Sequence, residues 1–88
     1  MQRPSEQTVS DHFGRRVAEC REERGLTQQQ LAEELGAAVK WVQEVEGGRQ
    51  NVTLSSITRI ANTVGVEVRV LFDPPRSARR KPGRPKKA

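Results

Sequence analysis

Residues 26–48 constrain the fold of this chain more than any other segment, because they contain two short helical patterns joined at Gly36. The first pattern begins at Thr27, which is followed three residues later by Gln30. This is the capping-box arrangement that satisfies free amide groups at a helix start. Glycine is the residue expected in the left-handed turn after such a helix. The apolar positions between these signals recur at helical spacing: Leu31, Ala32 and Leu35.

The second pattern predicts a helix from Ala38 to Glu46 that ends at the glycine pair 47–48. One side of this helix is apolar and carries Ala38, Val42 and Val45. The opposite side projects polar groups: Lys40, Gln43 and Glu44. Trp41 lies at the border of the apolar side, where its spacing from Ala38 and Val45 favours packing. A polar face without a partner on a helix that is otherwise packed is shaped to enter a groove of DNA.

Two further helices flank this pair. The first is predicted from Ser10 or Asp11 to Arg24, so that residues 1–9 form a flexible arm and Gly25 ends the helix. The last is predicted after the N-cap Thr53 and ends at Gly65. Its predicted buried stripe is Leu54, Ile57, Ile60, Ala61 and Val64.

The hydrophobic period changes after Gly65. Residues 66–72 alternate in the manner of a β-strand, and the side predicted to be buried carries Val66, Val68, Val70 and Phe72. A single strand leaves unpaired backbone groups, so we expect it to pair with the same strand of a second subunit. The predicted fold is therefore all-α, with four helices and an added C-terminal strand that pairs across a dimer. The alternative is a fifth helix with an irregular pattern.

The chain resembles the helix-turn-helix proteins of the phage repressor and Cro family, also called the xenobiotic-response-element family. The resemblance covers about residues 13–72, and the added strand is similar to that of antitoxins from high-persistence toxin–antitoxin pairs. The matching positions are Phe13, Val17, Cys20, Arg21, residues 25–28, Leu31, Ala32, Gly36, Val42, Glu46 and Gly48.

This resemblance implies a set of roles in DNA binding. Base edges in the major groove would be read by Ala38, Val39, Lys40 and Glu44, with Lys40 donating to guanine. Phosphates would be contacted by Gln28, Gln43, Arg49 and Asn51. Arg21 and Glu46 would form a partly buried structural ion pair. Without the motif, the polar face of the second helix and Arg49 would be interpreted as ordinary solvated surface.

Charge is divided unevenly along the chain. Residues 1–75 carry 9 Lys or Arg against 11 Asp or Glu, whereas residues 76–88 carry 7 basic residues and no acid. We therefore expect residues 10–73 to form the domain, with the strand at 66–72, and residues 74–88 to form a disordered basic tail. The tail resembles an AT-hook that binds the minor groove through Arg80, Lys81, Gly83, Arg84, Lys86 and Lys87. The alternative is a tail that binds any polyanion by counterion release.

The sequence does not indicate catalysis, metal binding or a membrane span. Cys20 lies on the apolar side of the first helix as a small buried hydrophobe, and the only histidine, His12, is expected at the surface. No metal-ligand cluster, phosphate loop or nucleophile–base pair is present, so we expect no enzyme, cofactor or metal. No apolar run reaches the roughly 20 residues of a membrane span. The expected location is the cytoplasm, in association with the nucleoid.

The sequence thus predicts a homodimeric regulator of transcription that binds double-stranded DNA at a two-fold operator and grips A·T-rich minor groove with its tail. One alternative is an antitoxin, with a toxin protein as partner, or a restriction-modification controller that regulates its own operon. Another is an architectural protein of A·T-rich DNA in which the tail dominates.

Overall fold

A computed structural model of the protein describes residues 3–77, which fold into four α-helices and one short 3₁₀ helix. The predicted all-helical arrangement of four helices is confirmed. The bounds are α1 Glu6–Glu23, α2 Gln28–Leu35, α3 Val39–Glu46, α4 Leu54–Val64 and the 3₁₀ helix Val68–Phe72.

Helix α1 begins earlier than predicted. Ser5 is its N-cap, and the Ser5 hydroxyl accepts a hydrogen bond from the backbone amide of Thr8 at 3.0 Å. Residues 6–9, predicted to belong to a flexible arm, are therefore helical. The prediction placed the start of the helix at Ser10 or Asp11, but the Ser5 hydroxyl caps the helix about one and a half turns earlier.

The α2 cap forms as predicted. The Thr27 hydroxyl accepts from the Gln30 amide at 3.0 Å, and the Gln30 side-chain oxygen accepts from the Thr27 amide at 2.8 Å. Gly36 follows the helix with a φ of 70°, in the left-handed region. Because only glycine adopts that conformation without strain, the corner between α2 and α3 is set locally.

One core unites all five elements. Two predicted members of the apolar stripes lie outside it: Leu54 is 82% exposed, and Ala38, the N-cap of α3, is exposed as well. Both lie at helix starts, where no other element packs against them. The buried hydrophobic residues are Phe13, Val17, Cys20, Leu31, Ala32, Leu35, Val42, Val45, Ile57, Ile60, Ala61, Val64 and Leu71.

Helix α1 crosses the end of α3 at Gly14. A Cβ atom at this position would lie less than 3.0 Å from the carbonyl oxygens of both Val45 and Glu46. Those oxygens belong to the backbone and cannot rotate away, so only glycine permits this approach. The close crossing fixes α3 against α1 and thereby aims the outer face of α3.

The predicted strand at residues 66–72 is wrong. Residues 68–72 form a 3₁₀ helix, and no strand occurs among residues 3–77. Leu71, which the strand pattern placed on the outer side, is fully buried, whereas Val68 is 40% and Phe72 is 52% exposed. Val66 and Val70 are half-buried against the core. The alternative of a fifth helix was nearer to the observed structure.

Local hydrogen bonds explain why the segment coils. The Val70 amide donates to the Glu67 carbonyl at 3.0 Å, and the Asp73 amide donates to the Val70 carbonyl at 3.2 Å. Arg16 of α1 also donates from Nε to the Val70 carbonyl at 3.0 Å. A strand with no neighbour would leave these backbone amides and carbonyls without hydrogen-bond partners, which is energetically costly. The alternation of apolar side chains contains no information about that cost.

We expect Leu71→Ala to lower the free energy of unfolding by about 2 to 5 kcal/mol, because it leaves a cavity in the core. The matched change Val68→Ala, on the exposed side of the same helix, should cost under about 1 kcal/mol. Urea unfolding followed by the fluorescence of Trp41, the only tryptophan, measures both. A larger loss at Val68 than at Leu71 would contradict the described packing.

Candidate nucleic-acid interface

Helix α3 is held with one side in the core and the other outward. Val42 and Val45 are 1% and 3% exposed, and Trp41 packs partly against the core, as its spacing indicated. Lys40 is exposed in the first turn. The N-terminal half of the outer face is therefore open to a ligand.

The four residues expected to read bases differ in their accessibility. Lys40 and Ala38 are exposed, whereas Val39 is half-buried and packs against the core. Glu44 is also half-buried, and its Oε1 accepts a hydrogen bond from Gln50 Nε2 at 2.8 Å. The structure thus presents Lys40 and Ala38 fully, while Val39 and Glu44 are partly engaged by the protein itself.

The ion pair expected between Arg21 and Glu46 is present in a bidentate form. Arg21 Nε lies 2.7 Å from Glu46 Oε2, and Arg21 Nη2 lies 3.0 Å from Glu46 Oε1. The two side chains are 10% and 7% exposed. The hydrogen bond from Arg21 to Glu46 raises the pKa of Arg21 above its ordinary value. The pair joins the last turn of α1 to the last residue of α3.

Two further groups complete the pair. Arg21 Nη1 donates to the Leu26 carbonyl at 2.9 Å, and Gln28 Nε2 donates to Glu46 Oε1 at 2.9 Å. Gln28, expected to contact phosphate, is thus oriented by Glu46. Its side-chain oxygen remains outside these contacts as an acceptor, and its amide keeps a second hydrogen to donate.

A groove between α1 and α3 brings together three of the four residues expected to contact phosphate. We call it the α1–α3 groove. Asn51 lies outside it, in a neighbouring depression that shares Arg49 with it. The residues that line the α1–α3 groove are Asp11, Arg15, Ala18, Arg21, Gln28, Gln43, Glu46, Gly47, Arg49 and Ser77.

Arg15 was not among the residues predicted from the sequence to contact phosphate. Its Nε is buried and has no hydrogen-bond partner among residues 3–77, and its side chain lines the α1–α3 groove. A buried donor without a partner is costly, so a ligand that accepted from it would gain that energy. A signal was present, because Asp11, Arg15 and Ala18 recur at helical spacing on the side of α1 that carries Arg21.

The C-terminal residues differ from the prediction at their start. Residues 76 and 77, assigned to a disordered tail, contact α1 through Glu19. The remaining tail positions lie outside the described residues: Arg80, Lys81, Gly83, Arg84, Lys86 and Lys87.

Residues 3–77 contain neither a metal-binding cluster nor a membrane-spanning helix. Within this range no group of three or more His, Cys, Asp or Glu side chains could hold a metal ion. None of the helices described there is long and apolar enough to cross a membrane. Cys20 is buried as a free thiol, and burial raises its pKa.

The chain is similar in sequence to known proteins. A family model described as a helix-turn-helix domain matches residues 12–73. The immunity repressor protein of Bacillus phage phi105 is 36% identical over 55 residues, which span 62% of this chain and 38% of the repressor. This chain covers less than two thirds of the length of the curated relatives that it matches.

Two crystal structures are similar over most of their length. The restriction-modification controller protein C.AhdI from Aeromonas hydrophila has 39% identity and a TM-score of 0.68, over 70% of this chain and 94% of the controller. The hypothetical transcription factor NHTF from Neisseria has 31% identity and a TM-score of 0.73, over 85% of this chain and 86% of that protein.

Replacing Glu46 with Ala is expected to lower the free energy of unfolding by about 3 kcal/mol or more, because Arg21 would keep a buried charge without its partner. Glu22→Ala is the matched control. Glu22 is an exposed carboxylate 3.7 Å from the same arginine, and its loss should cost under about 1 kcal/mol. Chemical denaturation at neutral pH measures both variants. Equal losses would show that the buried pair does not hold α1 to α3.

Proposed function

The chain belongs to the helix-turn-helix domain family, and from that membership we propose that it is a sequence-specific DNA-binding regulator of transcription. The observation that carries the proposal is the exposure of Lys40 in the first turn of α3, while Val42 and Val45 bury the other side of the same helix. An α-helix fits the major groove, where its N-terminal residues meet base edges.

Each outward residue of α3 has a distinct part in this proposal. Lys40 donates to guanine O6 and N7, and Ala38 contacts a thymine methyl group. Val39 offers the part of its side chain that the core leaves uncovered. Glu44 accepts from Gln50, but a carboxylate has about four acceptor positions and can also accept from cytosine N4.

Phosphate contacts in the α1–α3 groove set the register of α3 on the duplex. Gln28, Gln43 and Arg49 line this groove together, and we add Arg15 to the predicted set because its Nε has no hydrogen-bond partner in the described part of the chain. Asn51 contributes from the adjoining depression. Contacts of this kind supply affinity and orientation but no base preference.

The active form in this proposal is a homodimer on a two-fold site, with two α3 helices about one DNA turn apart. The strand that was predicted to join the subunits is replaced by the 3₁₀ helix, which exposes Val68 at its first residue and Phe72 at its last. Phe72 lies against Phe13 with ring centroids 5.2 Å apart. Apolar side chains exposed on one short element favour burial against a second copy.

The basic tail adds a second DNA contact. Arg84 enters an A·T-rich minor groove beside Gly83, and the other basic residues of the tail meet phosphates. The net negative charge of residues 1–75 supports a role for the tail in DNA binding, because a domain with this charge by itself repels the duplex at long range.

A second candidate is a controller that regulates its own operon. It is favoured by the similarity to a restriction-modification controller, which this chain matches over 94% of the controller's length. Both candidates require a discrete operator. An architectural protein would instead lose all binding together with its tail.

Lys40→Ala and Arg15→Ala should affect DNA binding in different ways, the first changing base preference and the second changing overall affinity. Loss of Lys40 should remove about 1 to 3 kcal/mol of discrimination at one base pair, whereas loss of Arg15 should weaken all sequences alike and reduce the salt slope by about 1. Selection of bound sites from random DNA, followed by titration at two salt concentrations, separates these effects.

Arg69→Ala is the charge-matched control for both variants. The Arg69 side chain is 78% exposed on the 3₁₀ helix and pairs only with Glu67 among the ion pairs of the described chain. It should leave base preference and salt slope unchanged. A selected sequence that is identical for the parent protein and Lys40→Ala would contradict base reading by α3.

Val68→Lys should dissociate the dimer, because it places a charge in the apolar patch of the 3₁₀ helix without disturbing the core. Sedimentation equilibrium should show a mass near that of one chain. Leu54→Lys is the matched control, since Leu54 is even more exposed and lies at the other end of α4 from the 3₁₀ helix. An unchanged dimer in Val68→Lys would place the interface elsewhere.

A further inference from the structure

Residues 76 and 77 are bound to a single carboxylate of α1. Glu19 Oε2 accepts from the Arg76 amide at 2.9 Å, from the Ser77 amide at 2.6 Å and from the Ser77 hydroxyl at 2.6 Å. Glu19 is 8% exposed. We call this arrangement the Glu19 clamp. A buried carboxylate that accepts several hydrogen bonds holds its donors in one geometry.

The charge state of Glu19 favours the clamp. Burial alone would raise the pKa of Glu19, but hydrogen bonds from Ser77, Arg16 and the Arg76 amide outweigh it and lower the pKa to about 2. The carboxylate is therefore ionised at neutral pH, when it binds all of its donors. The clamp therefore does not act as a pH switch near neutral pH.

The clamp is continuous with the rest of the fold. Arg16 donates from Nη1 to Glu19 Oε1 at 2.7 Å and from Nε to the Val70 carbonyl at 3.0 Å. One buried pair on α1 thus holds both the 3₁₀ helix and residues 76–77. Arg76 also pairs through its guanidinium with the exposed Glu23.

The clamp sets where the basic tail starts. Ser77 lines the α1–α3 groove together with Gln28, Gln43 and Arg49, the residues assigned above to phosphate contacts. Six of the seven basic residues of the tail follow within residues 79–87. At roughly 3.5 Å per residue, the first of them lies no more than about 7 Å along the chain from Ser77.

We propose that Glu19 is a positioning residue that fixes the origin of the basic tail at the DNA-binding groove, so that each tail engages the DNA flank next to the half-site read by its own α3. This inference rests on the proposed function. A tail that starts at the duplex surface meets the neighbouring backbone at a high effective concentration, whereas a tail freed from residue 74 onward samples a larger volume. The ligand is the phosphate backbone and minor groove of duplex DNA.

The test uses the full chain with Ala78→Cys carrying an iron chelate that cleaves nearby DNA. Cys20 is buried and its pKa is raised by burial, so the chelate reacts with the added thiol. On the site obtained by selection, cleavage should fall in one narrow group of nucleotides at each flank of the protected region.

Ser77→Pro is the informative variant, because it removes two of the three donors to Glu19 Oε2 and leaves α1 and the net charge unchanged. Cleavage should spread over about a full DNA turn, and affinity at low salt should fall about threefold to tenfold. Base preference should stay the same. Glu19→Gln, which keeps one acceptor oxygen but loses the charge, should shift the cleavage in the same direction.

Glu23→Gln is the control, since it removes only the exposed contact to the Arg76 guanidinium and should keep the parent pattern. A parent pattern that persists in both Ser77→Pro and Glu19→Gln overturns the inference while leaving the regulator intact. Absence of any discrete protected site in the parent protein overturns the proposed function, and the inference with it.

Discussion

The buried pair of Arg21 and Glu46 is the interaction on which the geometry of this domain depends. It spans α1 and the last residue of α3, two helices that also cross so closely at Gly14 that no side chain fits between them. A buried ion pair stabilises a fold only when its geometry is good and its other hydrogen-bonding groups have partners. This pair is bidentate, Glu46 also accepts from Gln28, and Arg21 also donates to the Leu26 carbonyl. The pair and the close crossing together fix the orientation of α3 relative to α1, and therefore the direction in which the outer face of α3 points.

Helix α1 carries a second buried pair, Arg16 with Glu19, on another part of its surface. The first pair orients α3, and the second holds the 3₁₀ helix and the start of the tail. Each arginine also donates one hydrogen bond to a backbone carbonyl, Arg16 to that of Val70 and Arg21 to that of Leu26, which reduces the cost of burying the two charged pairs. Helix α1 therefore positions both α3 and the start of the tail, the two parts that face DNA in the proposed complex.

Local signals in the sequence were sufficient for much of the fold. Thr27 with Gln30 and the glycine at position 36 locate α2 and its corner because each acts within a few residues, through hydrogen bonds and backbone conformation. The outward position of Lys40 followed from the helical period alone. The family resemblance supplied the partners Arg21 and Glu46, which lie too far apart in sequence for local rules to join.

The failures share a cause, which is that they depend on what packs nearby. Alternating apolar residues at 66–72 fit a strand, but a strand needs a neighbour, and the core instead takes Leu71 while Arg16 takes the Val70 carbonyl. Arg15 was overlooked because a charged residue on a helix is ordinarily solvated, and its buried Nε shows only in three dimensions. The contact between Glu19 and Ser77 joins residues 58 positions apart, beyond the reach of any spacing rule.

The uneven distribution of charge along the chain explains why the positions of α3 and of the start of the tail matter. The first 75 residues are net negative and the last 13 are strongly positive, so in the proposed complex the attraction to DNA arises in the tail and base recognition in α3. Attraction that is not directed would hold the duplex in many orientations, most of which keep α3 away from the base edges. Glu19 binds Ser77 at the groove lined by Gln28 and Arg49. Under the proposed function, the positive segment therefore starts where the duplex lies when α3 reaches the base edges. In the proposed complex, a contact that carries no sequence information thereby selects the orientation in which sequence can be read.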